Sequence, residues 1–223
     1  MLKIGLRFMI FLFLVPCLAP VFGQKLRAQS PDAPLEGTIV ALGDSLTEGY
    51  GVAPGDAYPA QLERKLNSQG RSWRVINAGV SGETSSGTLQ RIDWILRLNP
   101  DIVILATGAN DGLRGLPPAA LKDNLDRIIT RLKAEKIIVV LVGMKMARNL
   151  GEAYISAFET AYREVAATHG AIFMPFMLEG VAMDPQLNQA DGIHPTPRGY
   201  AVLATHLLPY LERALAIHHR KSP

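Results

Sequence analysis

Thr38-Ile39-Val40-Ala41-Leu42-Gly43-Asp44-Ser45-Leu46-Thr47 is the stretch from which the architecture can be read. Its first half is a short, β-branched apolar run, the composition of a buried strand, and Gly43-Asp44-Ser45 is turn chemistry ahead of a helix. Ser45 therefore falls at the mouth of a strand-to-helix turn. Backbone N–H groups at such a turn point outward without intrahelical partners, which suits a nucleophile.

Working outward, the same alternation repeats. Residues 73–77, 101–107, 137–142 and 171–176 are further short apolar runs. Helical faces separate them: Tyr58, Leu62 and Leu66; Leu89, Ile92, Ile95 and Leu96; Leu121, Leu125, Ile128, Ile129 and Leu132; Tyr154, Phe158, Tyr162 and Val165. A last helix over about residues 197–216 carries Leu203, Leu207, Leu211 and Leu215 on one face. Five strands apolar throughout, each followed by a helix, predict a parallel sheet covered on both faces. The fold class is α/β, a three-layer α/β/α, flavodoxin-like domain over residues 37–223.

The preceding residues read differently. Lys3 and Arg7, an apolar block over residues 8–18 and small residues at Val21 and Gly23 have the layout of a signal peptide over residues 1–23. The apolar block is too short to span a bilayer comfortably, so no stable membrane span is expected after cleavage. A lipoprotein signal using Cys17 is disfavoured by Pro16 beside it; a retained anchor is the other alternative. Residues 24–36, rich in Gln, Ser, Pro, Asp and Ala, read as a flexible, solvated lead-in. The expected location is exported, periplasmic or secreted.

Charge and cysteine narrow the function classes. The 223-residue chain has 23 Lys+Arg against 20 Asp+Glu; without Lys3 and Arg7 the balance is 21 against 20, a net charge of about +1. With no basic cluster interleaved with aromatics, nucleic acid is not an expected partner. Cys17 is the sole cysteine, so the processed chain has no disulfide, zinc-thiolate site or cysteine nucleophile. A monomer is the simplest expectation.

In parallel sheets of this kind, functional groups collect at the carboxyl ends of the strands. That rule selects Asp44 and Ser45 after the first strand, residues 79–86 after the second, Gly108-Ala109-Asn110-Asp111 after the third, residues 144–151 after the fourth, and Asp191-Gly192-Ile193-His194-Pro195 before the last helix. A serine hydroxyl needs a base, a group that orients the base, and donors for a developing oxyanion. His194 lies in a polar loop and is the natural base. Asp191, three residues earlier, can accept from its Nδ1–H, leaving Nε2 toward Ser45. Thr196-Pro197 supplies an N-cap and a first-turn proline to hold that loop. The Ser45 N–H, the Gly82 N–H and the Asn110 amide are the candidate oxyanion donors. Each of these residues alone is an ordinary turn residue. The conjunction, in the order Ser, Gly, Asn, Asp, His at successive strand ends, is what points to chemistry. Asp44 reads as a local brace of the turn, and His169, His206, His218 and His219 as helix-end and helix-surface residues.

Four blocks, Gly43-Asp44-Ser45-Leu46, Gly79-Val80-Ser81-Gly82-Glu83-Thr84, Gly108-Ala109-Asn110-Asp111 and Asp191-Gly192-Ile193-His194-Pro195, resemble those of the SGNH (GDSL) hydrolases. Within that family the chain is similar to the exported thioesterase, arylesterase and lysophospholipase branch, with Asn110-Asp111-Gly112-Leu113-Arg114-Gly115 an especially close match. The resemblance implies Ser45 as nucleophile, Asp191 and His194 as the rest of the triad, and Ser45, Gly82 and Asn110 as the oxyanion hole, with Gly79 the other glycine of its block. Ala109 stands where the branch often has glycine. The implied reaction is acyl transfer on a small-molecule ester or thioester, lipids included, with no cofactor and no metal.

Substrate choice then falls to the loops, where Leu113, Leu116, Met144, Met146, Leu150 and Tyr154 are candidates for an apolar acyl groove. Residues 82–88 have the glycine spacing of a phosphate loop but lack its lysine and carry Glu83 where an anion would sit. A carbohydrate-ester deacetylase and a non-catalytic binding protein are the alternatives on the same fold.

Overall fold

The computed structural model describes residues 34–146 and 148–221. β1 (Gly37–Gly43) is followed by a single turn of helix, α1 (Ser45–Glu48), and by α2 (Tyr58–Ser68). β2 (Trp73–Gly79) leads into α3 (Ser85–Gln90) and α4 (Ile92–Leu96). β3 (Ile102–Ala106) precedes α5 (Ala109–Leu113) and α6 (Pro118–Ala134); β4 (Ile138–Val142) precedes α7 (Glu152–His169); β5 (Ile172–Met174) and α8 (Pro197–Lys221) complete the chain. The sheet is parallel throughout, in the order β2-β1-β3-β4-β5. Helices α2 and α8 cover one face, and α3, α6 and α7 the other.

The core follows the apolar pattern. Ile39 to Leu42 of β1, and all of β3 and β4, are buried, while α6 turns Leu121, Leu125, Ile128, Ile129 and Leu132 inward. Proline at its first turn starts α6 without losing a hydrogen bond, and Gly170 in the left-handed conformation (φ 57°) ends α7.

Several local expectations change. β2 is not apolar throughout: Arg74 and Asn77 are exposed, as an edge strand allows. β5 stops at Met174 because Pro175 cannot extend the ladder. The helix expected through residues 89–96 is two helices that break at Arg91. α8 runs on to Lys221, so His218 packs edge-on against Trp73 at 5.0 Å instead of lying free on the surface. Glu36 is fixed at the sheet edge: its carboxylate accepts from the Ser72 N–H (2.9 Å) and Trp73 Nε1–H (3.0 Å). The expected signal peptide, residues 1–23, lies outside the described residues.

The strand order sets the place for a site. The chain leaves β1 for β2 on one side and returns to β3 on the other, so the loops after β1 and β3 diverge and open a crevice. Gly43 pairs in register with both Gly79 and Ala106, so three strand-end loops start at one level. Those loops carry Ser45, Gly82 and Asn110.

Candidate active site

Ser45 occupies the first position of α1, where its N–H has no intrahelical acceptor. Asp44 caps this turn, its Oδ1 accepting from the Leu46 N–H at 3.0 Å. The Ser45 Oγ lies 2.9 Å from His194 Nε2, and His194 Nδ1 lies 2.7 Å from Asp191 Oδ2. Asp191 Oδ1 also accepts from the backbone N–H groups of Ile193 (2.9 Å) and His194 (3.0 Å). These bonds, led by the His194 backbone N–H, pull the Asp191 carboxyl down to about 2, although it is largely exposed. An ionised carboxylate can only accept, so the proton sits on His194 Nδ1 and Nε2 faces the serine as a base.

The His194 loop is tied to the Ser45 loop. Gln189 donates to the carbonyls of Tyr50 (2.8 Å) and Pro195 (2.9 Å), and its backbone N–H donates to the His194 carbonyl (2.7 Å). The Tyr50 ring lies 4.6 Å from the His194 ring, tilted by 41°. Tyr50 covers one side of the imidazole and was not visible in the sequence: a tyrosine between Gly49 and Gly51 reads as surface.

Gly82 sits in a tight turn with φ 77°, and among the described residues its N–H makes no hydrogen bond within the protein. Gly79 has a different task. Its N–H is bonded to Asn77 Oδ1 (2.9 Å), and a methyl there would run into the Glu48 backbone. Asn110, in the first turn of α5, donates from Nδ2 to the Glu83 carbonyl at 3.0 Å, which fixes the amide and leaves a second N–H. Ala109 is accommodated as the first residue of α5, because Gly108 before it takes the strained conformation (φ 112°).

Behind these donors lies a polar layer whose residues, as an assembly, carry no signal in the sequence. Asp111, buried, accepts from the Ser85 N–H (2.7 Å) and Oγ–H (2.5 Å), joining α5 to α3. Glu83 receives Arg91 on both oxygens, from Nε at 2.6 Å and Nη2 at 2.7 Å, and Thr88 Oγ1 at 2.9 Å. The same Arg91 Nη2 reaches the carbonyl of Ala78 (2.7 Å), and that of Gly43 at 3.3 Å, where β1 ends. Asp44 is only 2% exposed. Burial pushes its carboxyl up to about 6, against the opposing effect of the Leu46 N–H and the nearby His194.

The candidate groove residues divide. Leu113 and Leu116 are exposed, and Leu150 and Met146 half-buried, with the Met146 sulfur packed over Gly112. Met144 does not open onto a groove; it is buried in the core at the end of β4. Tyr154 acts as a tether, its hydroxyl donating to the Leu116 carbonyl at 2.7 Å while its ring stacks at 6.1 Å on Phe158. A cleft of about 650 Å³ between α3, α4 and α6 contains none of the candidate catalytic residues. Among the described residues no cluster of three His, Cys, Asp or Glu side chains could hold a metal, and no helix is long and apolar enough to cross a membrane.

Residues 41–202 match the GDSL-like Lipase/Acylhydrolase family. The chain is 37% identical over 179 residues to the esterase TesA of Pseudomonas aeruginosa, covering 80% of this chain and 89% of that protein. It is 36% identical over 159 residues to thioesterase 1/protease 1/lysophospholipase L1 of Escherichia coli, covering 71% and 75%. The crystal structure of TesA superposes with a TM-score of 0.77 over 79% of this chain and 99% of that one. That of AlinE4, an SGNH-hydrolase family esterase, is 42% identical and superposes with a TM-score of 0.69 over 82% and 98%.

Proposed function

The chain belongs to the GDSL-like lipase/acylhydrolase family and is an ester hydrolase, and from that premise we propose that Ser45, His194 and Asp191 are its catalytic triad. The observation that carries the assignment is the unbroken chain Ser45 Oγ to His194 Nε2 (2.9 Å) and His194 Nδ1 to Asp191 Oδ2 (2.7 Å), at the crevice between the β1 and β3 ends.

Ser45 Oγ attacks the acyl carbonyl carbon as His194 Nε2 takes its proton. The carbonyl oxygen becomes an oxyanion, which the Ser45 N–H, the Gly82 N–H and the Asn110 amide stabilise. Collapse expels the leaving alcohol or thiol, protonated by His194. Asp191 holds the imidazole in the required tautomer and stabilises its charged form. Water then repeats the sequence on the acyl-enzyme, and Ser45 is restored. Every proton in this cycle moves through His194.

We assign the acyl chain to the apolar side chains Leu113, Leu116, Met146 and Leu150, which gives a preference for lipid-like or aryl acyl esters and thioesters. The names borne by the relatives, esterase, thioesterase and lysophospholipase, support that range. We further assign residues 1–23 to an export signal that delivers the enzyme to the periplasm or exterior. The charged, apolar and small-residue order supports this, and N-terminal sequencing of the processed protein tests it. The substrate reading is tested with p-nitrophenyl esters from acetyl to octanoyl, acyl-CoA and lysophosphatidylcholine. Higher kcat/KM for octanoyl than for acetyl is expected, together with turnover of at least one of the two lipid-like substrates. A sharp preference for acetyl contradicts the assignment, and Met146→Asp should selectively lower activity on the longer esters.

A further inference from the structure

Gly82 is the glycine among the three oxyanion donors, and its surroundings are built to hold it. On one side Glu48 accepts from the Ser81 N–H (2.9 Å) and from the Ser81 hydroxyl. On the other side the Glu83 carboxylate is locked by Arg91. The Glu83 N–H closes the turn on the Val80 carbonyl at 3.1 Å, which leaves the Gly82 and Glu83 carbonyls to be held from elsewhere. Those carbonyls are held from α5 and its C-terminal cap, where Asn110 and Arg114, four residues apart, each reach one of them. Asn110 Nδ2 donates to Glu83 O at 3.0 Å and Arg114 Nη2 to Gly82 O at 2.7 Å. The guanidinium lies over the turn, 3.8 Å from where a Gly82 side chain would begin.

We propose that Arg114 is a positioning residue that orients the Gly82 N–H toward the oxyanion through its charge-assisted bond to the Gly82 carbonyl. The inference rests on the assignment of Gly82 to the oxyanion hole. A glycine at φ 77° has alternative conformations of similar energy, and a donor that must search for its geometry loses the advantage of preorganisation. Arg114 is exposed and takes no part in the core, so its removal leaves the fold in place. Because the oxyanion hole acts where charge develops, the effect belongs to kcat and not to KM.

The test compares wild type with Arg114→Met and Arg114→Lys on the uncharged substrate p-nitrophenyl butyrate, with Ser45→Ala as reference. Arg114→Met should lower kcat about tenfold, the size of one charge-assisted hydrogen bond, at unchanged KM and unchanged Tm. It should weaken an alkyl boronic acid, a mimic of the tetrahedral adduct, by a similar factor. Arg114→Lys, which can donate but not fork, should recover part of both. Wild-type kcat in Arg114→Met overturns the inference. So does a rise in KM confined to substrates with anionic leaving groups, which would make Arg114 a substrate contact. A loss of kcat that follows a fall in Tm and leaves boronate affinity unchanged makes the residue merely structural. Activity surviving in Ser45→Ala instead defeats the catalytic reading itself, which separates the two failures.

Discussion

Asp44 offers the sharpest quantitative prediction, because it is a buried carboxyl whose hydrogen-bond donors among the described residues are backbone N–H groups. Its Oδ1 caps α1 through Leu46, and asparagine presents the same oxygen, so Asp44→Asn preserves the cap. What the substitution removes is the cost of ionising a group that is 2% exposed. The folded-state value, about 6, lies above the ordinary value of 3.8, so the stability this carboxyl contributes is full below pH about 4 and is lost as pH rises through about 6. At 1.36 kcal/mol per pK unit the loss is about 3 kcal/mol at most. Urea unfolding of both proteins between pH 4 and 7.5, read at constant m, checks this. Asp44→Asn should match wild type near pH 4 and exceed it by about 2–3 kcal/mol at pH 7.5. It should also turn over more slowly, because the Asp44 charge stabilises the nearby His194 imidazolium. A variant less stable than wild type at pH 7.5, or a difference that does not change with pH, refutes the reasoning.

Four further outcomes follow from the same structure. Asn110→Ala removes one oxyanion donor and also unties the Glu83 carbonyl; kcat on a p-nitrophenyl ester should fall about 10²–10³-fold with KM little changed. Asp191→Asn should reduce turnover by up to about 10⁴-fold while leaving Tm close to wild type, since Asp191 is exposed. With its carboxyl near 2, Asp191 stays ionised as pH falls to 4, so protonation of Asp191 should contribute no step to wild-type kcat/KM between pH 4 and 8, and a step in that range that Asp191→Asn abolishes would contradict the assignment. Leu125→Ala opens a cavity in the fully buried face of α6, and chemical denaturation should register a loss of about 2–5 kcal/mol, with kcat of the folded protein retained.

How far the sequence reaches depends on the kind of interaction. β1, β3 and β4 are apolar on both faces, and α6 repeats its stripe over 17 residues, so pattern alone identifies them. The rule that places functional loops at strand ends then brings Ser45, Gly82, Asn110 and His194 into one neighbourhood. Periodicity does not say which apolar residue after a strand is core and which is loop, and Met144 is core for that reason. Nor does it report a buried charge. Glu83 and Arg91 are eight positions apart across a helix break, and only the fold makes them a bidentate pair that also caps the end of β2. The contacts of Tyr50 and Arg114 are not legible in the sequence because their partners, the His194 ring and the Gly82 carbonyl, lie far along the chain.

The central claim is that Ser45 carries the acyl group. Its most direct measurement is intact-mass analysis after brief reaction with a fluorophosphonate, followed by peptide mapping. The account predicts one adduct per chain, located on Ser45, absent from Ser45→Ala and formed much more slowly in His194→Ala. An adduct on another residue, or none on folded, ester-hydrolysing protein, would contradict it.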